Sequence, residues 1–439
     1  MPHRKTTAPD RTRRALVTGT AAILACSAFP RRSSAMQTAS FNQAALDALR
    51  RSISARVDAG EIAGATWLIH HAGETHVDST GTFGMNGAGA PMARDTIYRV
   101  ASITKPVTAA LAMMLVEDGV LTLDGPVDDL LPELANRQVL KRIAGPLDET
   151  VPANGPVTLR HLLTMTFGLG AIMVFPEAYP IQAAMREAGV APSWVLPQMS
   201  SDAYMKKLGE LPLAAHPGES FFYNNGLDVA GILIERATGE RLGAVMKARL
   251  LEPLGMKDTD FFVPDDKQHR LPVQYGPDFA NGGIRVIPFG PEQGIDFSRP
   301  PQMDSGAGGL VTTVDDYAAF CRMMLNGGAL DGRRYLKAET VTEMTRDQLT
   351  QEQKQAPHAA MFMDDGGAGW GLGMSVGLKS TRPWLAQGSF GWNGGYGTTA
   401  YTDPKNGLVG IFLSQQMMTS PDAPKTYLDF WKGARAAVG

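Results

Sequence analysis

Strand-like runs sit at both ends of this chain and are scarce in its middle. Ala63–His71, His76–Thr80 and Thr96–Val100 lie near the start, with Gly369–Val376, Gly388–Trp392, Thr398–Thr402 and Leu408–Ser414 near the end. These runs favour β-branched and aromatic residues and are separated by glycine-rich turns. From Asp124 to about Pro301 the texture changes to proline, aspartate and helical patches, with an irregular loop from Asp265 to Asp304. The sheet is therefore built from both ends of the chain, with a helical region inserted between them. Helical spacing frames it. Leu46, Leu49, Ile53 and Val57 form one stripe in residues 40–60, a helix runs from Thr313 through Leu325, and another runs from Lys425 towards Ala436. The expected class is α+β, with an α/β lobe from residues 36–123 and 305–439 and a mostly helical lobe from 124–304. A cleft between two such lobes is the usual place for a site.

The first residues belong to none of this. Thr12-Arg13-Arg14-Ala15-Leu16-Val17 is a twin-arginine pattern, followed by the weakly apolar stretch Ala15–Phe29 and the small-residue cleavage site Ser33-Ser34-Ala35. That apolar stretch is shorter than the ~20 residues a membrane-spanning helix needs. Residues 1–35 are expected to be a signal peptide, and the remainder, 36–439, to be exported to the periplasm by the twin-arginine route. Ile23-Leu24-Ala25-Cys26 offers a lipoprotein alternative, but leucine two before the cysteine fits that signal poorly. Without the seven Lys/Arg and one Asp of residues 1–35, the formal charge falls from -3 to -9. Nothing in that balance invites nucleic acid. Cys321 is left as the sole cysteine, so no internal disulfide is expected. No other segment is apolar and long enough to span a membrane.

Three stretches carry chemistry. The first is Val100-Ala101-Ser102-Ile103-Thr104-Lys105, which opens an apolar helix ending at Glu117-Asp118-Gly119. On a helix, residues three apart share a face, so the Ser102 hydroxyl and the Lys105 amine can meet. Serine needs a neighbour to take its proton, and a lysine kept neutral by burial is such a neighbour. Ser-x-x-Lys arises by chance about once or twice in a chain of this size, so the pair alone is a weak signal. Pro106 lacks an N–H, which requires an irregular first turn or a helix that starts near Thr104.

The second stretch is Pro217-Gly218-Glu219-Ser220-Phe221-Phe222-Tyr223-Asn224-Asn225-Gly226, a polar loop before an apolar helix that Gly239 stops. In an extended loop Tyr223 and Asn225 face the same side. A tyrosine beside a lysine is expected to ionise below its usual value of about 10 and serve as a base. An asparagine amide both donates to and accepts from a ligand, although Asn224 or Asn225 also suits a helix N-cap. The third stretch, Phe390 to Thr399, reads as a glycine-rich strand that admits close backbone approach and offers an N–H to a developing oxyanion.

Ser102-x-x-Lys105, Tyr223-x-Asn225 and a late glycine-rich strand, in this order, resemble the serine β-lactamase and penicillin-binding-protein superfamily. The resemblance is strongest to its class C β-lactamase-like group and the esterase relatives called family VIII carboxylesterases. Pro217–Gly239, Glu252–Thr259, Gly308–Tyr317 and Gly391–Pro404 carry it beyond the motifs, and it extends from about Asp47 to Phe430. The resemblance implies a β-lactamase/transpeptidase-like fold, an antiparallel sheet flanked by helices. It implies Ser102 as the acylated nucleophile, with Lys105 and Tyr223 handling its proton and later activating water. It places Asn225 on the substrate's acyl side, Trp392, Asn393 and Gly394 against the substrate, and the backbone N–H groups of Ser102 and Gly395 in the oxyanion hole. It implies no metal and no cofactor.

One departure is informative. β-Lactamases of this group carry Lys-Thr-Gly at the third motif, many relatives have His there, and this chain has Trp392-Asn393-Gly394. A cation suits the carboxylate of a penicillin or a peptide C-terminus, whereas an indole favours an uncharged ligand. The expectation is a serine hydrolase of small carboxylic esters, extending to some amides. The rivals are a β-lactamase or D-alanyl-D-alanine peptidase, and a catalytically inactive relative that binds a cell-wall fragment or a partner.

Other signals are set aside. Gly373-Met374-Ser375-Val376-Gly377 matches the Gly-x-Ser-x-Gly elbow but lies in a strand pattern with no histidine after it. His70, His71 and His76 lack metal-ligand spacing, His161 and His216 read as structural, and Cys321 reads as core. Met173, Phe175 and Trp194 suit an acyl pocket, a lid or plain core packing.

Overall fold

The sheet that the two ends of the chain build has seven strands. In chain order they are β1 (Gly64–His71), β2 (Glu74–Gly81), β3 (Ala368–Trp370), β4 (Ser375–Gly377), β5 (Phe390–Gly394), β6 (Thr398–Asp403) and β7 (Leu408–Ser414). The spatial order is β3-β4-β5-β6-β7-β1-β2, and every pair is antiparallel. The computed structural model describes residues 41–439 apart from Phe175, Phe279, residues 289–295 and Pro421. The expected signal peptide and Cys26 lie outside the described residues.

The join between the ends is β1 against β7, with Trp67 opposite Phe412 and Ile69 opposite Gly410. Alternation sends Trp67 and Ile69 to one face of the sheet and Leu68 to the other, and all three are buried. Helices α1 (Gln43–Asp58) and α5 (Lys425–Val438) cover the first face. There Leu46, Leu49 and Ile53 meet Trp67, Phe412, Phe430 and Trp431 in one cluster. Each of these large side chains contributes about 1.5–3 kcal/mol on burial. The Asn42 side chain caps α1 by accepting from the Ala45 N–H at 3.2 Å. The other face carries α2 (Thr104–Glu117) and α4 (Val314–Leu325), with Leu68, Ile411, Val107, Leu111 and Phe320 in the larger cluster. Cys321 is a free, buried member of that cluster.

Helix α2 is buried from Thr104 to Leu115, which marks it as a central element rather than an amphipathic surface helix. Its α-helical bonding starts at Thr104, so Pro106 falls within the first turn, where a missing N–H costs nothing. Ser102 therefore precedes the α-helix, in a tight 3₁₀ turn from Ala101 to Ile103. Helix α3 (Asn225–Thr238) packs beside α2 and ends on Gly239 in the left-handed conformation.

Three expectations change. Gly369–Val376 is not one strand but the hairpin β3–β4, turned by Gly371 to Met374, whose N–H and carbonyl meet at 2.8 Å. Thr96–Val100 contributes only Tyr98–Arg99, and that pairs with Val311–Thr312 instead of joining the main sheet. The loop from Asp265 also holds more order than expected, including a hairpin of Tyr275–Pro277 with Ile284–Val286. Among the described residues no helix is long and apolar enough to cross a membrane.

Candidate active site

The turn that presents Ser102 is held from several sides. Ala101 has φ 46, a left-handed conformation that costs a non-glycine residue ~1 kcal/mol or more and that tends to mark functional turns. The Val100 N–H donates to the Leu310 carbonyl at 3.0 Å, and the Val100 carbonyl accepts from Thr398 Oγ1 at 2.9 Å. Tyr317 donates its hydroxyl to the Ile103 carbonyl at 2.8 Å. The end of β5 presses on the same point. A β-carbon at Gly394 would sit 2.2 Å from the Val100 carbonyl oxygen, so only glycine permits this approach.

Lys105 is 0% exposed, and three oxygens surround its amine. Nζ lies 2.8 Å from Ser102 Oγ, 2.9 Å from Asn224 Oδ1 and 2.6 Å from the Ala307 carbonyl oxygen. Burial pushes the amine down to about 7, against the opposing pull of Asp228. The Asn224 and Ala307 oxygens can only accept. When the amine is uncharged they take its two N–H bonds, which leaves its lone pair for the Ser102 hydroxyl.

Asp228, on α3, organises the far side of this contact. Its Oδ1 accepts from Ser305 Oγ at 2.6 Å and from the Ala307 N–H at 3.1 Å, so it fixes the residue whose carbonyl faces Lys105. Burial pushes its carboxyl up, while Ser305, Ala307 and Lys105 act the other way.

Tyr223 stands over the lysine, with Nζ 4.5 Å from its ring centroid. Its ring stacks on Phe362 at 4.5 Å and meets Trp370 edge-on at 6.0 Å. Its hydroxyl accepts from Trp392 Nε1 at 2.6 Å and also hydrogen-bonds the Ser102 side chain. The expected downward shift of this phenol does not occur. Burial among aromatic rings pushes it well above 10, and the neighbouring Ser102 and Trp392 side chains only oppose that. A neighbouring lysine that is itself only partly charged near pH 7 offers less to stabilise a phenolate.

The two asparagines differ from expectation. Asn225 begins α3 and is buried, its amide donating to the Val190 carbonyl at 2.8 Å and to Tyr204 Oη at 2.7 Å. Asn224 is the one at Lys105. With φ 87 it breaks the extended alternation that would have aligned Tyr223 with Asn225. Trp392 is buried and turned to Tyr223, and its ring meets Trp370 edge-on at 4.7 Å. Asn393 is half-buried, on the alternate face of β5, and among the described residues its Oδ1 has no hydrogen-bond partner.

The remaining signals fall into place structurally. Ser375 is buried in β4 opposite Gly391, inside the sheet rather than on an elbow. His161 closes a capping box with Thr158, and His216 Nδ1 accepts from the Asn154 N–H at 3.2 Å. Phe175 lies outside the described residues, and Trp194 lies against Gly395. In the sequence Asn224 reads only as a candidate N-cap, and Asp228, Ser305, Ala307 and Phe362 were not anticipated. Only Asp228 left a trace in the sequence, as a lone charge in the apolar run Gly226-Leu227-Asp228-Val229-Ala230.

Comparison with known proteins points the same way. The profile of the Beta-lactamase family matches residues 49–430. Protein Rv1367c of Mycobacterium tuberculosis is 36% identical over 375 residues, which cover 84% of this chain and 90% of that protein. Esterase EstB of Burkholderia gladioli is 29% identical over 414 residues, 89% of this chain and 97% of that one. Among solved structures, a mutant simvastatin synthase from Aspergillus terreus superposes with a TM-score of 0.72 at 25% identity, covering 93% of this chain and 100% of that one.

Proposed function

The chain belongs to the Beta-lactamase family, and from that premise we propose that it is a serine hydrolase of small carboxylic esters, working through an acyl-enzyme on Ser102. The observation that carries this reading is the Lys105 amine, buried, pushed down to about 7 and 2.8 Å from Ser102 Oγ. As Oγ attacks the ester carbonyl, its proton passes to the Lys105 lone pair. The oxygen that gains the negative charge meets the backbone N–H groups of Ser102 and Gly395. Among the described residues neither group has a hydrogen-bond acceptor within the chain. The leaving alkoxide takes its proton from Tyr223 or Lys105. Tyr223 acts as a neutral acid, since its phenol stays protonated and its hydroxyl is already satisfied as an acceptor by Trp392. The same groups run in reverse when water attacks the acyl-enzyme.

An ester is favoured over a β-lactam or a peptide C-terminus because the third motif supplies an indole N–H committed to Tyr223, not a cation for a carboxylate. The similarity to esterase EstB supports the same choice. Export to the periplasm rests on Arg13-Arg14 and the apolar stretch after them.

The test is intact-mass detection of acylation by a fluorophosphonate probe, with p-nitrophenyl butyrate assayed in parallel. One adduct, absent in Ser102→Ala, together with ester turnover is the expected result. A folded protein with neither adduct nor turnover would overturn the reading in favour of an inactive binding relative. Faster hydrolysis of a chromogenic cephalosporin or a D-Ala peptide would overturn it in favour of a β-lactamase or peptidase.

A further inference from the structure

Beside the oxyanion glycine the chain holds an aromatic side chain in solvent by several deliberate contacts. Trp194 is 46% exposed. Its segment is tied at the base by Asn225 Nδ2, which donates to the Val190 carbonyl at 2.8 Å. Tyr396, buried and next to Gly395, donates its hydroxyl to the Trp194 carbonyl at 2.6 Å. The Val195 N–H donates to Ser193 Oγ at 2.8 Å, closing the turn that presents the indole. Leu196 packs with Ala101 on the cluster of Ile97, Phe297 and Tyr396. The indole's reach is set by Gly395. A β-carbon there would lie 2.6 Å from Trp194 Cζ3 and 3.5 Å from Cε3 and Cη2. Gly395 has no positive φ, so the ring, and not the backbone, is what a side chain there would meet.

We infer that Trp194 is the wall against which the acyl group of the substrate packs, and that it makes the enzyme select unbranched over branched acyl groups. This rests on the Ser102 acyl-enzyme reading above. In the tetrahedral intermediate the carbonyl carbon carries four groups. One is Ser102 Oγ, and one is the oxyanion on the Ser102 and Gly395 N–H groups. The leaving oxygen must reach its proton donor, Tyr223 or Lys105. With the leaving oxygen on the Tyr223 and Lys105 side, the acyl carbon is turned away from Tyr223, and the exposed ring of Trp194, lying beside Gly395, is the apolar surface offered to it. Ala101, Leu196 and Tyr396 pack together there, an apolar surface that suits an uncharged acyl group. A flat ring accepts a methylene chain along its face and collides with branches on the carbon next to the carbonyl.

The experiment compares kcat/KM for p-nitrophenyl butyrate and p-nitrophenyl pivalate in the wild type, Trp194→Ala and Trp194→Phe. The leaving group is the same throughout, and thermal unfolding checks that each variant folds. Trp194→Ala is expected to raise the pivalate-to-butyrate ratio about tenfold or more, the scale of a methyl group admitted or refused by an apolar pocket. Trp194→Phe falls between. A series of acetate esters of different alcohols is expected to keep its order in all three proteins. A ratio that Trp194→Ala moves by less than about twofold, or a change confined to the alcohol series, would overturn the inference. These outcomes differ from failure of the Ser102 reading, in which the wild type itself would neither turn over butyrate nor acylate.

Discussion

Trp392 donates its indole N–H to the Tyr223 hydroxyl at 2.6 Å, and this bond decides which way the phenol can act. A hydroxyl has one proton to give. Once Trp392 occupies an acceptor position, the Tyr223 proton is free to point at Ser102 or at a leaving oxygen. Trp392→Phe keeps an aromatic ring against Trp370 and removes only the donor. It is expected to lower kcat about tenfold to a hundredfold, equivalent to ~1.5–3 kcal/mol for a hydrogen bond that strengthens as charge develops. KM and the unfolding temperature should change little. Steady-state kinetics on a short p-nitrophenyl ester checks this, and a rise in KM with unchanged kcat would assign Trp392 to substrate binding instead.

In the proposed mechanism Lys105 sets the acid limb of the reaction. There its amine must be unprotonated to receive the Ser102 proton, and burial holds it at about 7. kcat/KM should therefore rise with pH, half-maximal near pH 7, and level off above. The same shift links to stability. An unfolded lysine titrates near 10.5, so between about 7 and that value the unfolded chain holds one more proton than the folded chain. Stability contributed by this group therefore rises with pH across that window. Lys105→Met is expected to lower activity by about 10²–10⁴-fold and to remove this part of the pH dependence of unfolding. Denaturant titrations of both proteins at pH 7 to 10 measure the difference.

Asp228 works on Lys105 without touching the nucleophile. Its charge pulls the lysine amine up, so Asp228→Asn should move the acid limb of kcat/KM to lower pH. Asparagine retains an oxygen for Ser305 and the Ala307 N–H, and the fold should hold. Asp228→Ala strands both of those donors in the interior and is expected to cost about 1–3 kcal/mol for each group left unsatisfied. The pH–rate profile of the first variant and the melting of the second separate charge from positioning. An acid limb that moves upward in Asp228→Asn would refute the electrostatic part.

What the sequence made readable was local. Ser102 and Lys105 are three residues apart, so a helical turn is enough to bring them together, even though Ser102 lies in the 3₁₀ turn before the helix. The strands at both ends were readable from β-branched runs, because burial on both faces of β1 and β7 leaves a continuous apolar record. Ala307 was not readable. It contributes a carbonyl, which every residue has, and its importance comes only from lying 2.6 Å from Lys105 across a separation of 202 residues. Asn224 was hidden for another reason. The resemblance assigned the site to Asn225, which extended alternation would align with Tyr223, and the positive φ at Asn224 breaks that alternation. Phe362, stacked on Tyr223, reaches the site from a 3₁₀ turn that carries no motif.

Gly394 offers the last test, because its role is steric and its effect has a clear direction. A methyl group there would lie 2.2 Å from the Val100 carbonyl oxygen and 2.2 Å from Thr398 Oγ1, the two atoms that hydrogen-bond each other at 2.9 Å. Neither can retreat independently. Val100 leads directly into the strained Ala101 and then Ser102, and Thr398 opens β6. Gly394→Ala is expected to destabilise the fold by about 1–3 kcal/mol, as overpacking does elsewhere. Ester hydrolysis should fall about tenfold or more, since a shift of ~1 Å at a nucleophile is costly. Ser375→Ala, buried one strand away, is expected to keep most of the activity. If Gly394→Ala melts early yet hydrolyses normally at low temperature, the close approach of β5 serves stability alone. If it stays stable but cannot be acylated at Ser102, the approach serves to aim the nucleophile.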